Sequence, residues 1–553
     1  MLEIKNLSIA FSDQVPVLKN ISFSVGKNEV LGLVGESGSG KSVCSLAIMQ
    51  LLSKNAKVSG EIIFQKKALL NCSDKNILKL RGKEIAMIFQ EPMSSLNPSL
   101  TCGYQVAEVL MQHSKLKANK IKQEVLNLFK KVKLAEPELI YRCYPHQISG
   151  GQKQRIVISM AIACKPTLLI ADEPTTALDV RVQKKIIQLL KQLQKEQQMS
   201  VIFISHDLNL VSEIADNIVI IHKGSIVEKG SSKKIFLHPK ENYTKALISA
   251  KPTLNKRLKK LPSISDFIAK TPNCNLVTEL ERKKRHKKLY KNPPILKIID
   301  LNKEFNRKAS WLAKPYKITA LKQINFEVYE SETLGLVGES GCGKTTLGKT
   351  VLQLEKATAG QIFYKGINIS NISRGKLKKL RREMQIIFQD PFSSLNPKIP
   401  IGKALVEPMT VHKILSSKQQ RKQYVLKLLV KVGLKTEHFY RYPNEFSGGQ
   451  RQRIGIARAI VMQPKLIICD ESVSALDVSV QAQVLNLLNS LKTEFNFTYI
   501  FISHDLAVVK HMSDRILVMK QGKIEEIAEA DNIYYSPKSK YTKALIDAIP
   551  KGL

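Results

Sequence analysis

The chain contains itself twice, and this duplication constrains its fold more than any other feature. GLVGESGSGKS (32–42) recurs as GLVGESGCGKT (335–345), and FQEPMSSLNP (89–98) as FQDPFSSLNP (388–397). ISGGQKQRI (148–156) recurs as FSGGQRQRI (446–454), FISHDL (203–208) as FISHDL (501–506), and NYTKALISA (242–250) as KYTKALIDA (540–548). The last three pairs share one offset of 298 positions, so that stretch of the two halves must adopt one fold. Upstream, the first half is four residues longer between its glycine loop and Gln90, and the second is about nine residues longer near 307–315. Two domains, 1–250 and 295–553, are therefore expected, joined by 251–294.

The joining stretch holds Pro252, Pro262, Pro272, Pro293 and Pro294 and the run ERKKRHKKLYK (281–291). Proline punctuation and like-charge repulsion both disfavour a packed element, which predicts an exposed linker. Its basic run either touches lipid headgroups or RNA or is a solvated tether.

Each half reads as α/β. NEVLGLVG (28–35), KPTLLIAD (165–172) and MSVIFIS (199–205) are short apolar runs of the kind that form buried parallel strands. VQKKIIQLLKQLQKEQQ (182–198) has helical spacing, with Ile186, Ile187, Leu189, Leu190 and Leu193 on one face. The opening MLEIKNLSIAF alternates apolar and polar residues, which predicts a strand rather than a signal peptide. With 43% apolar and 24% charged residues the chain is not a disordered one, and no apolar run approaches the ~18 residues of a membrane span. Eight cysteines without a CxxC pair argue against a disulfide framework and a zinc site. A cytoplasmic protein, free or membrane-peripheral, is expected. The net charge of +40 either steers the chain to nucleic acid or anionic lipid or reflects lysines spread over a solvated surface.

Gly35, Glu36, Ser37, Gly38, Ser39, Gly40, Lys41 and Ser42 form a phosphate-binding loop, and so do Gly338, Glu339, Ser340, Gly341, Cys342, Gly343, Lys344 and Thr345. The glycines let backbone N–H groups surround phosphate oxygens at a helix N-terminus. Lys41 and Lys344 would reach the β- and γ-phosphates, and the Ser42 and Thr345 hydroxyls would ligate Mg²⁺. Cys342, at a helix N-terminus, is expected to have a lowered pKa; it is either redox-sensitive or a small filler equivalent to Ser39. The apolar runs 168–171 and 466–469 end at Asp172-Glu173 and Asp470-Glu471. A carboxylate at the end of a buried strand suits a Mg²⁺ ligand (Asp172, Asp470), and the next one can polarise an attacking water (Glu173, Glu471).

SGGQ upstream of an apolar strand ending in Asp-Glu, then ALD, then a His after another apolar strand, resembles the ATP-binding cassette ATPases over all but the linker. The resemblance implies two tandem α/β cassettes, each with a helical subdomain, about 91–150 and 390–448, and ATP with Mg²⁺ as ligands. It assigns Ser149, Gly150, Gly151 and Gln152, and Ser447, Gly448, Gly449 and Gln450, as signature motifs. It further implies that Gln90 and Gln389 are Q-loop glutamines that also face the metal, and that Glu173 and Glu471 are the catalytic bases. His206 and His504 would contact the γ-phosphate, and Asp179 and Asp477 would be the D-loop aspartates. Ile148 and Phe446 stand where Leu is common, and Ser472 replaces the Pro found at 174; no loss of chemistry is expected from these. Phe11 and Phe305 are the candidates to stack adenine, with Tyr316 a competitor in the second half; both phenylalanines also suit a strand core.

In this family two cassettes close head to tail around two ATPs. The resemblance then pairs Lys41, Ser42, Asp172, Glu173 and His206 with 447–450, and Lys344, Thr345, Asp470, Glu471 and His504 with 149–152. Neither half has lost a key residue, so two hydrolytic sites are expected. FQEPMSSLNP, FQDPFSSLNP, the two P-loops and the tails 238–252 and 536–550 resemble the oligopeptide, dipeptide and nickel importer ATPases, in particular the fused single-chain ATPases of oligopeptide, microcin C-type and glutathione uptake. This implies peptide import with two permease subunits and an extracytoplasmic substrate-binding protein, at the cytoplasmic face of the inner membrane, without a specific nucleic acid. The alternative is a tandem-cassette ATPase of the translation-factor kind, acting on the ribosome. Some relatives carry a cysteine cluster for an iron–sulfur centre; Cys274 stands alone, so none is expected.

Overall fold

The computed structural model describes the chain except for residues 12–14, 91–94, 177, 253–256, 270–274, 308–315, 391–393, 475 and 550–553. The extra length near 307–315, the middle of both FQxP segments, Cys274 and the Tyr316 side chain lie outside the described residues.

Each half is built on two sheets. In the first half a six-stranded sheet runs in the order Ser225–Ser231, Asn217–His222, Val30–Val34, Ser200–Ser205, Leu168–Asp172, Ile85–Ile88. All neighbours pair in parallel except the edge strand Ser225–Ser231. Val30–Val34, Leu168–Asp172 and Ser200–Ser205 are buried at every position, which is why their sequences are continuous apolar runs. The opening strand Leu2–Phe11 belongs to a four-stranded antiparallel sheet with Leu18–Val25, Ala56–Phe64 and Lys67–Ala68. Its alternate residues Leu2, Ile4, Leu7 and Ile9 share one core with Leu31, Ile170 and Ile204 and with Cys44 and Ile48 of helix Lys41–Ile48. The P-loop helix is thereby fixed between the two sheets. The second half repeats the plan in the order Met384–Ile387, Leu466–Asp470, Thr498–Ile502, Thr333–Val337, Arg515–Lys520, Lys523–Glu529.

Helices cover the other face of the large sheet. Helix Val180–Gln197 buries Ile186, Ile187, Leu189, Leu190 and Leu193, the face its spacing predicts. A helical layer, Cys102–His113, Ala118–Lys131 and Gly150–Ile162, shares that core. Its second copy is Ile401–Val411, Lys418–Lys431 and Gly448–Ile460. The short helix Pro137–Arg142 is replaced there by a 3₁₀ turn, Thr436–Tyr440. Pro137 pre-sets the first helical turn; Thr436 does not.

The expected exposed linker is instead folded against the second half over much of its length. Arg257 donates to the carbonyls of Lys510 (2.7 Å), His511 (3.1 Å) and Ser513. These close helix Leu506–Met512, where unpaired carbonyls collect and a cation is favoured. Leu261 exchanges two hydrogen bonds with the Asn486 amide (2.9 and 2.8 Å). The basic run forms helix Glu279–Leu289, closed by a Thr278–Glu281 capping box. Arg282 is buried between Glu529 and Asp531, and Arg285 and His286 reach Asp514 at 3.2 and 3.5 Å. The run's charges therefore divide by helical spacing. Lys283, Lys284, Lys287 and Lys288 face solvent, while Arg282 and His286 meet carboxylates that sequence proximity does not reveal.

Candidate active site

Both P-loops leave a buried strand and enter a helix whose N-cap glycine is left-handed, Gly40 at φ 105° and Gly343 at φ 108°. A Cβ on Gly40 would also lie 2.3 Å from Leu18 Cδ2, so glycine is required on two grounds. Lys41 is buried and its Nζ donates to the carbonyls of Gly35 (2.8 Å) and Glu36 (2.7 Å). Lys344 does the same to Gly338 (2.8 Å) and Glu339 (3.0 Å). An ammonium has three N–H groups, so each lysine is anchored and keeps one for an anion. Burial lowers the Lys41 pKa against the opposing pull of Glu173, Asp477, Asp172 and Glu36. Incoming phosphate charge reverses that balance.

Cys342 overturns one expectation. Its thiol is buried, and burial raises its pKa more than Lys344 and its hydrogen bonds to backbone amides lower it. The sulfur sits 2.7 Å from where a Gly338 Cβ would be, as Ser39 Oγ does at Gly35. It fills the loop and is not activated.

Asp172 and Asp470 end their strands almost wholly buried. Thr345 Oγ1 donates to Asp470 Oδ1 at 3.0 Å, and the Ser42 hydroxyl is hydrogen-bonded to Asp172. Burial raises both aspartate pKa values, and those hydroxyls hold them down only in part. Asp172 Oδ1 is buried with no hydrogen-bond partner among the described residues. An unpaired carboxylate oxygen beside a hydroxyl and a P-loop fits a hard divalent cation such as Mg²⁺.

The chain turns at the next residue. Glu173 and Glu471 have φ of 46° and 47°, a left-handed conformation costing roughly 1–3 kcal/mol in a non-glycine residue. Their N–H groups still pair with Ile204 and Ile502 carbonyls at 3.0 Å, so the strand is left only after the amide. Glu173 gathers three partners: Gln90 Nε2 (3.2 Å), Thr176 Oγ1 (2.9 Å) and His206 Nδ1 (3.2 Å). Glu471 receives Gln389 Nε2 at 3.1 Å, with His504 Nδ1 at 3.6 Å. Burial would raise the Glu173 pKa, but His206, Thr176 and Lys41 outweigh it and bring it to about 2. Glu471 is lowered in the same sense by His504 and Lys344, against burial. Burial would lower the His206 pKa, and Glu173 raises it. Each glutamine uses its amide N–H on the glutamate, which leaves its carbonyl oxygen for a cation.

Ser149 and Ser447 are N-caps of Gly150–Ile162 and Gly448–Ile460, each in a capping box with Gln152 or Gln450. Each serine oxygen accepts the glutamine N–H, so its own proton remains to donate outward. A Cβ on Gly448 would meet nothing within 4 Å, whereas one on Gly449 would lie 2.4 Å from Val480 Cγ1. The second glycine is needed for packing on helix Val478–Phe495; the first leaves open room beside the helix N-terminus. Gly150 and Gly151 repeat this against Leu178 and Val182.

The halves meet through these parts. Asp179 caps helix Val180–Gln197 with Oδ1 and accepts the N–H of Ser340 in the opposite P-loop with Oδ2, at 3.4 Å. Arg181 Nη1 pairs with Glu339 at 2.6 Å, and Ser479 donates to Glu36. Asp477 acts by charge on Lys41 and His206. Sequence reasoning missed the tail tyrosines. Tyr541 Oη accepts the Glu339 N–H at 3.3 Å beneath Arg181, and Tyr243 packs against His222 beside Glu36, the ring centroids 4.0 Å apart and the planes tilted by 36°. Their recurrence within NYTKAL and KYTKAL was the available signal. Arg181 carried none, because Ser479 stands at its repeat. Phe11 ends its strand half-buried against the first core, and Lys303 lies over the Phe305 ring at 4.6 Å.

The sequence profile of the family described as ABC transporter matches residues 18–176 and 321–474. A second, oligopeptide/dipeptide transporter, C-terminal region, matches 227–273 and 526–552, which carries the first tail well into the joining segment. Glutathione import ATP-binding protein GsiA of Escherichia coli (strain K12) is 42% identical over 567 residues, covering 100% of this chain and 89% of that protein. The protein of the same name from Pectobacterium atrosepticum is 42% identical over 563 residues with the same coverage. Among solved structures, a dimeric ATP-binding cassette in a post-hydrolysis state bound to ADP and Pi is 27% identical, with a TM-score of 0.39, covering 42% of this chain and 98% of that one.

Proposed function

Because the chain belongs to the ABC transporter ATPases, with two cassettes and the oligopeptide/dipeptide-type C-terminal region in each half, we propose that it powers uptake of peptides or peptide-like compounds across the inner membrane. It is an import-type ATPase. The observation that carries the ATPase is the same cluster built twice, an anchored P-loop lysine, a buried Asp at a strand end, and a left-handed Glu held by Gln and facing His, and the one that supports peptide uptake is the oligopeptide/dipeptide-type region at the end of each half.

The chemistry follows from these groups. The P-loop amides and Lys41 would hold the β- and γ-phosphates, and Ser42, Asp172 and the Gln90 carbonyl would ligate Mg²⁺. That cation would neutralise phosphate charge. Water attacks the γ-phosphorus, its proton passes to Glu173, and the bond to the β-phosphate oxygen breaks to give ADP and phosphate. His206 steadies Glu173 and faces the γ-phosphate. Ser447 and the amides of 448–450, at a helix N-terminus, close the site from the other half. The second site uses Lys344, Thr345, Asp470, Glu471, His504 and Gln389 with 149–152. Closure is useful only if two permease subunits bind the open and closed pair differently.

No helix among the described residues is long and apolar enough to cross a membrane, so the permeases and an extracytoplasmic binding protein are separate chains in this reading. The ribosome-acting alternative is not favoured, since the tail repeat matches an oligopeptide/dipeptide transporter region and the similar full-length proteins are named as import ATP-binding proteins. The test is gentle detergent extraction, affinity capture of the chain and mass spectrometry. Two polytopic membrane proteins in near-stoichiometric amounts are expected. Ribosomal proteins and rRNA that survive a high-salt wash, without permeases, would overturn the proposal.

A further inference from the structure

The two tails end differently where they meet the other half. After helix Asn242–Ala250 comes Lys251; the repeat of that position, 298 residues on, is Ile549. Both line one small cavity between the halves, of about 100 Å³, together with His206, Asp207, His504 and Asp505. Lys251 Nζ lies 2.6 Å from Asp207 Oδ2, with both side chains 14% exposed. Asp207 Oδ1 caps helix Leu208–Ser212 through the Asn209 N–H at 3.0 Å. Asp505 caps its own helix in the same way.

Two aspartates from opposite halves thus face a space that holds one lysine. Burial opposes the Lys251 charge, but Asp207 and then Asp505 more than restore it, with Glu213 adding to them. Lys251 is therefore an ammonium at the interface. Asp207 is the residue after His206, so fixing its carboxylate fixes the histidine's backbone. The contacts agree: His206 stands 3.2 Å from Glu173, and His504 stands 3.6 Å from Glu471. The tail helix that carries Lys251 packs on helix Val478–Phe495, so the lysine is set by both halves.

We propose that Lys251 is a positioning residue for the first ATP site, holding Asp207 and through it His206, and that its absence from the second tail makes the two sites hydrolyse ATP at different rates. This rests on Glu173 and Glu471 being the bases. The test is single-turnover cleavage of Mg²⁺-ATP by the full chain, with Glu471→Gln isolating the first site and Glu173→Gln the second. Lys251→Met is expected to slow the first site about tenfold and the second less than about threefold, with Lys251→Arg restoring most of the loss. Lys251→Ile with Ile549→Lys should transfer the faster rate to the second site, and Ile549→Lys alone should speed that site. Equal loss at both sites, or no loss at either, would overturn the proposal. Failure of the underlying reading is separable: each single Gln variant would then cleave two ATPs per chain rather than one before Lys251 is touched.

Discussion

Glu173 and Glu471 stand at the same place in two copies of one fold, with the same left-handed backbone, yet they are held differently. Thr176 gives its hydroxyl proton to the Glu173 carboxylate, whereas Ser474, at the same position in the second half, gives its proton to the Glu471 backbone carbonyl. Glu173 is the more enclosed, its side chain 10% exposed against 18%. Across the interface the contrast continues, since the second P-loop meets the charged Arg181 and the first the hydroxyl of Ser479. The difference teaches that duplication preserves the reacting groups while their supports diverge, so two complete sites are not two identical sites.

The largest effect should come from removing what the sites share. Glu173→Gln with Glu471→Gln should cut steady-state turnover by at least ~10²-fold and leave a closed, ATP-bound chain, seen as retained nucleotide after gel filtration. Wild-type turnover in that variant would break the comparison at its base.

Next is the asymmetry of the joining segment. Arg282→Met leaves Glu529 and Asp531 without their buried partner. It should destabilise the second half by about 3 kcal/mol, whereas Lys283→Met, at a fully exposed pair, should leave its stability essentially unchanged. Calorimetry should show the loss in the transition of the second cassette alone.

A smaller effect is expected at the interface. Arg181→Ala removes a half-exposed ion pair and should weaken nucleotide binding at the second P-loop by about fivefold or less, and Ser479→Ala should weaken the first by less still. Titration with a fluorescent ATP analogue in each single-site background reads this directly.

The smallest effect sharpens the comparison most. Glu173 has a depressed pKa, so its contribution to stability is present above the ordinary carboxylate range and is lost as pH falls toward about 2. Thr176→Ala removes a donor that favours the charged form, so the acid limb of the first site's pH–rate profile should move to higher pH. Ser474→Ala should leave the second site's limb in place, because that hydroxyl serves the backbone.

Much of the site was legible because its parts are local. A P-loop is a run of neighbouring residues, and Asp172-Glu173 follows an apolar strand that can only be buried. Repetition also marked His206 and His504 as functional rather than ordinary histidines, expected at the γ-phosphate; their approach to the glutamates, at 3.2 and 3.6 Å, was not foreseen. The Cys342 expectation failed because helix position is visible in sequence and enclosure is not. The linker expectation failed for a related reason. Like charges repel only until opposite charges are brought near, and those lie more than 200 residues further along the chain.

By itself, then, the sequence determined the two-cassette plan, the strand ends that carry Asp and Glu, and the glycines that turn at Gly40 and Gly343, since each depends on neighbouring residues and their period. Tertiary structure alone decided that the basic helix docks on the second half, where Glu529 and Asp531 replace the Ser231 and Lys233 of the first. It also decided that Arg181 meets Glu339 and that Lys251 meets Asp207. Such pairings join groups far apart in sequence, and opposite charges attract across an interface only after packing has brought them together and excluded the water that would otherwise screen them.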